Sequence, residues 1–176
     1  WITSGTAALK GKALHFQLDE GEFRPRARRS FPKRDGGTFK VSFRFDWLRK
    51  DEGTWGFYMQ LGNGAEMPKS LVYERDLAKG VGVNLGWGGR DLVGGEEPGS
   101  FGYFKDRKFN KLFSANDSRA KDTLVDNPVV TLDVDLDSST YALGFNGKTY
   151  PGIPLENKGP IDTIRFVTTG CSKTGF

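Results

Sequence analysis

The run Asp133-Val134-Asp135-Leu136-Asp137 offers the most obvious chemistry in this chain. Alternate residues of an extended strand share a face, so the run lines up carboxylates. Glycoside hydrolysis needs two such groups flanking the scissile bond. Each acid here is the short Asp, and Asp137 enters the turn Asp137-Ser138-Ser139. The sequence therefore reads as an outward polar face closing in an Asx-type turn. His15 is the only histidine, on a short N-terminal strand, and reads as a surface residue. Cys171 is the only cysteine and has no histidine beside it, which makes it a structural or surface thiol. No Gly-x-Ser-x-Gly elbow occurs. The glycine-rich stretch 86–95 lacks the strand–turn–helix setting of a phosphate loop. Asn116-Asp117-Ser118 matches a glycosylation sequon. The acid/base and nucleophile sets of the common enzymes are thus missing, and binding becomes the leading expectation.

Charge gives binding a direction. The 26 Lys and Arg against 22 Asp and Glu leave a net +4. The bias is local. Residues 24–34 hold Arg24, Arg26, Arg28, Arg29, Lys33 and Arg34 without an acid, and residues 105–121 add a second basic run. Residues 122–137 are acidic. Solvated strand faces account for part of this; a basic surface suited to an anionic polymer accounts for the rest. No nucleic-acid motif accompanies the charge, so nucleic acid is not expected as a partner.

These side chains need elements to hold them. Glycine, at 24 of 176 residues, is roughly twice its ordinary usage, and 14 Phe, 5 Tyr and 4 Trp accompany it. That is a composition of strands and turns. In 38–47, Phe39, Val41, Phe43, Phe45 and Trp47 alternate with Lys40, Ser42, Arg44 and Asp46, which predicts a half-buried strand. The same period recurs in 13–18, 55–61, 81–87, 129–136 and 140–146. Asn146-Gly147 predicts a hairpin over 140–150. Ile164 and Phe166 mark a late strand, and 24–31 and 101–113 are weaker candidates. Only 70–79 has the look of a helical turn. No apolar run is long enough to span a membrane as a helix. About ten short strands of this kind predict an all-β chain, a two-sheet antiparallel β-sandwich, as one domain over 1–176.

The outward parity of those strands carries Arg44, Tyr58, Gln60 and Asn84, and Arg24, Arg26 and Arg28 share one parity on the preceding strand. Planar amides and tyrosines suit sugar hydroxyls, and Arg holds carboxylate or sulfate in a planar fork. Trp87 and the glycine-rich loop 88–97 would close one end. The expected ligand-binding set is therefore Arg26, Arg28, Arg44, Tyr58, Gln60, Asn84 and Trp87. Bare glycine at Gly56, Gly82, Gly86 and Gly144 would leave room for a ligand or loop to approach the sheets.

VVTLDVDLDSSTYALGFNGKTY at 129–150, with IDTIRFVTTG at 161–170, resembles the concanavalin A-like (laminin-G-like) jelly rolls found in bacterial polysaccharide-acting proteins. Gly11-Lys12-Ala13-Leu14, Arg28-Arg29-Ser30-Phe31-Pro32 and Gly37-Thr38-Phe39-Lys40-Val41-Ser42-Phe43 fit the same pattern. Laminarinase-type hydrolases of this fold carry Glu at both ends of their acidic strand, where this chain has only Asp. The Gln-Ile-His-type strand and Tyr-rich late strand of alginate-lyase-type jelly rolls are also missing. The resemblance implies a secreted, non-catalytic carbohydrate-binding module for an acidic or sulfated polysaccharide, excised from a multidomain carbohydrate-active protein. A small polysaccharide lyase or glycoside hydrolase and a laminin-G-like protein-interaction domain are the alternatives. No cofactor is required by this reading. It also implies a possible structural calcium ion, for which Asp19, Glu20, Asp46 and Asp162 are loose candidates.

Overall fold

The structure is a computed structural model, and it describes residues 2–4, 7–10, 13–16, 26–44, 56–67, 79–88, 100–106, 108–113, 129–145 and 147–169. Every regular element among them is a strand. In chain order these are β1 Ile2–Ser4, β2 Ala7–Lys10, β3 Ala13–Phe16, β4 Arg26–Arg34, β5 Thr38–Arg44, β6 Gly56–Gly62 and β7 Val81–Gly88. They continue with β8 Ser100–Lys105, β9 Lys108–Phe113, β10 Val129–Asp135, β11 Thr140–Phe145, β12 Lys148–Pro154 and β13 Ile161–Thr169. No described helix is long and apolar enough to cross a membrane.

The strands form a seven-stranded sheet, β1-β4-β13-β6-β7-β8-β9, and a four-stranded sheet, β12-β11-β10-β5, with β2 and β3 as a separate pair. All strand pairings among the described residues are antiparallel. This is the two-sheet sandwich that the alternation predicts. Phe145 pairs with Lys148 across Asn146-Gly147, the expected hairpin. Gly147 has φ 83°, a conformation that glycine adopts without steric cost.

The core lies where the two apolar parities meet. Met59, Leu61, Val83, Leu85, Phe101 and Phe166 come from the larger sheet; Val130, Leu132, Val134, Tyr141, Leu143, Phe145 and Ile153 come from the smaller. Ring pairs among the described residues bridge the sheets. Phe43 meets Phe166 edge-on at 5.2 Å, Phe101 meets Phe145 at 5.1 Å, and Phe31 meets Phe39 at 6.3 Å. Each pair adds roughly 0.5–1.5 kcal/mol beyond its buried area.

The turn Asp35-Gly36-Gly37 carries the chain from one sheet to the other. Gly37 sits at φ 73°, and its N–H donates to Asp137 Oδ1 at 2.9 Å. β5 then pairs with β10 in the four-stranded sheet, while β4 pairs with β13 in the seven-stranded one. The predicted helical turn at 70–79 except Lys79, the loop at 88–97 beyond Gly88, the sequon and Cys171 lie outside the described residues.

Candidate functional site

Residues directly opposite one another on neighbouring strands share a sheet face. On the seven-stranded sheet, Arg28 on β4 stands opposite Arg165 on β13, which stands opposite Gln60 on β6, opposite Asn84 on β7. One register row along, Arg26, Val167, Tyr58, Gly86 and Gly102 form a parallel line. Core residues such as Phe166, Met59 and Leu85 occupy the intervening positions, so these polar rows lie on the sheet face away from the sandwich core.

The centre of this face is closed to water. Tyr58, Gln60, Asn84 and Arg165 retain 3%, 0%, 2% and 4% of their exposure. Tyr58, Phe104 and Val167 form a second apolar cluster there, with Phe109 against it. The Tyr58 and Phe104 rings lie 5.8 Å apart, and Phe104 and Phe109 lie 5.2 Å apart.

Buried polar groups persist only with partners. Arg165 donates from both Nε, at 2.9 Å, and Nη2 to Gln60 Oε1. Gln60 Nε2 then donates to Asn84 Oδ1 at 3.2 Å. The chain of bonds fixes the guanidinium plane. No acceptor meets Asn84 Nδ2 among the described residues. Burial, and then the charges of Arg26 and Arg28, push the Arg165 guanidinium down to about 10. Three guanidinium groups thus crowd one end of the row. Arg26 is half-buried and Arg28 exposed, and no carboxylate pairs with Arg28 among the described residues. An oxyanion at this rim would relieve the mutual repulsion and accept from planar donors.

The expected binding set divides. Arg26, Arg28, Tyr58, Gln60 and Asn84 do share one face. Tyr58, Gln60 and Asn84 do not front water as the alternation suggested: all three are buried, Tyr58 among Phe104 and Val167, and the two amides hydrogen-bonded to each other. Arg44 does not join them. It stands opposite Val129 at the exposed end of β5, in the other sheet, because the Gly36-Gly37 turn switches sheets before it. Trp87 belongs to β7, but its side chain lies outside the described residues, as does that of His15 on β3. Arg165 is the residue that reading the sequence missed. It sits between the apolar Ile164 and Phe166, on the parity of Gln60 and Asn84 once strands β13, β6 and β7 are known to be neighbours.

Two of the four glycines, Gly82 and Gly144, do not leave the expected room. A Cβ on Gly144 would stand 2.2 Å from Thr131 Oγ1, and one on Gly82 would stand 3.1 Å from Ile161 Cδ1. Their missing side chains are replaced by the protein's own atoms.

The acids of the strand have partners within the protein. Asp133 pairs with Lys40 at 3.0 Å. Asp135 Oδ1 accepts from the N–H groups of Asp137, at 3.0 Å, and Ser138, at 3.1 Å. The Ser138 bonds hold the Asp135 carboxyl below its ordinary range. Among the calcium candidates, Asp162 Oδ1 accepts from Gly64 N at 2.7 Å and Thr163 Oγ1 at 2.8 Å, which fixes the turn after β6. Asp19, Glu20 and Asp46 lie outside the described residues. No group of three His, Cys, Asp or Glu converges among the described residues.

No protein-family model matches the chain, and no curated protein matches it in sequence. Solved structures do match in three dimensions. A legume lectin-like domain from Entamoeba histolytica superposes with TM-score 0.58 at 10% identity, over 99% of this chain and 84% of that one. The metal-free carbohydrate recognition domain of Emp46p gives TM-score 0.57 at 15% identity, over 100% and 83%. The fold is a concanavalin A-like jelly roll. A sialidase gives TM-score 0.62 at 14% identity over 94% of this chain, which corresponds to only 12% of that chain. The jelly-roll architecture is shared with all three, and at these identities the likeness is one of fold.

Proposed function

We propose that this jelly roll is a non-catalytic carbohydrate-binding module that takes an acidic or sulfated polysaccharide on its seven-stranded sheet. The observation that carries the reading is the register row Arg28–Arg165–Gln60–Asn84, with Arg26 beside it. Its buried half holds Arg165 in one orientation; its open end presents Arg28 to solvent. A carboxylate or sulfate on a sugar ring is the ligand group that matches a cluster of guanidinium forks. Tyr58, Gln60 and Asn84 act in this reading by holding Arg165 and the sheet surface in place behind the rim. Two of the structural neighbours are a legume lectin-like domain and a carbohydrate recognition domain, which supports sugar as the ligand class.

A non-catalytic role is supported by the acids. Asp133, Asp135 and Asp137 are all engaged in an ion pair or a turn. The module would serve an extracellular, multidomain carbohydrate-active protein, and the small share of the sialidase chain that it matches fits a part of that kind. Affinity electrophoresis against neutral, carboxylated and sulfated polysaccharides at low salt tests the reading. Retardation by acidic glycans alone is the expected result. Retardation by none, or by neutral glycans equally, would overturn it.

A further inference from the structure

β4 has a second basic side, separate from the Arg28–Arg165 row. β1 pairs with β4 only from Arg26 to Arg28. From Arg29 to Arg34, the edge of β4 away from β13 has no strand partner among the described residues. Arg29, Lys33 and Arg34 stand exposed along it, and no carboxylate pairs with any of them among the described residues. Lys40, on the following strand, is by contrast neutralised by Asp133 at 3.0 Å. At about 3.3 Å per residue, Arg29 to Arg34 covers roughly 17 Å of extended chain.

Three kinds of partner could meet such an edge. A peptide strand adding to β4 needs a continuous row of backbone donors, and Pro32 interrupts it. A single-stranded nucleic acid needs exposed rings for its bases to stack on. The one aromatic residue of β4, Phe31, is instead turned in against Phe39 at 6.3 Å. A linear chain carrying closely spaced fixed anions needs only the cations. We infer that the open edge of β4 is a docking ridge for a linear sulfated glycan, contacted by Arg29, Lys33 and Arg34. It is distinct from the sheet-face rim, which takes one acidic sugar group, because the ridge requires a chain long enough to span its three cations.

Heparin chains and a heparin disaccharide are the probes. The triple variant Arg29→Ala/Lys33→Ala/Arg34→Ala should bind long heparin on the order of tenfold more weakly at low salt, with a shallower salt dependence. It should bind the disaccharide unchanged. Arg28→Ala, at the sheet-face rim, should weaken the disaccharide and long heparin alike, so loss of long-heparin binding with the disaccharide spared reports the ridge, and loss of both reports the rim. All three ridge residues are exposed, and an unaltered circular dichroism spectrum and melting point would exclude unfolding as the cause. Arg34→Lys, which keeps the charge, should retain most of the affinity. Unchanged heparin binding by the triple variant would overturn the ridge. So would tighter binding of poly-uridylate than of heparin, which would make the edge a nucleic-acid surface.

Discussion

Arg165 donates from Nε to Gln60 Oε1 at 2.9 Å, joining β13 to β6 on a sheet face closed to water. A charged donor in that setting is costly to leave short of an acceptor. Gln60 is positioned in turn by Asn84 on the next strand. Three strands are thereby cross-linked by side chains as well as by their backbone ladder.

Gln60→Leu should therefore destabilise the protein by about 2–3 kcal/mol, since it leaves a buried guanidinium without this acceptor. The double variant Gln60→Leu/Arg165→Leu should recover part of that loss. Urea unfolding of the four members of the cycle measures it. Additive losses would mean that the pair is not coupled.

Arg28 should show the opposite balance between stability and binding. Its charge, with that of Arg26, acts against a protonated Arg165. Arg28 is exposed, so solvent screens most of this repulsion. Arg28→Ala should raise stability in the absence of ligand by a few tenths of a kcal/mol while weakening acidic glycans. Thermal denaturation with and without glycan reads both effects. A loss of stability would indicate that Arg28 is a structural residue.

The fold was largely legible in the sequence because its strands alternate strictly. β5 and β10 show it best: Phe39, Val41 and Phe43, and Val130, Leu132 and Val134, all turn inward. β1 and β2 carried no such period and were not anticipated. The site was harder to read, for two physical reasons. Periodicity assigns a residue to a face but not to a sheet, so Arg44 and Gln60 looked like neighbours until the Gly36-Gly37 turn separated them. It also cannot tell a polar face in water from a buried one, such as that of Tyr58, Gln60 and Asn84. Arg165 was hidden because its partners are distant in sequence.

Acid should expose the contribution of Asp135. Its carboxyl is held below its ordinary value by Ser138, so the folded state binds the proton less readily than the unfolded chain. The resulting stabilisation is full above the ordinary Asp value of 3.8 and disappears as pH falls through the folded-state value. Asp135→Asn should lower the melting temperature near neutrality and converge on the unmodified protein in strong acid. A constant gap across that range would contradict the assignment.

Gly62 tests the close approach of the β6 end to the turn before β7. A Cβ there would lie 2.0 Å from the Gly80 carbonyl oxygen, a backbone atom that cannot rotate aside. Gly62→Ala should cost about 1–3 kcal/mol, measured by chemical denaturation. A neutral result would mean that the β6–β7 register adjusts there.

The most direct test of the account is isothermal titration of the protein and of Arg28→Ala with paired oligosaccharides that differ only in a carboxylate or sulfate. The account predicts that the unmodified protein prefers the anionic member and that Arg28→Ala loses this preference. Equal affinity for the two members, or a preference that survives in Arg28→Ala, would contradict it.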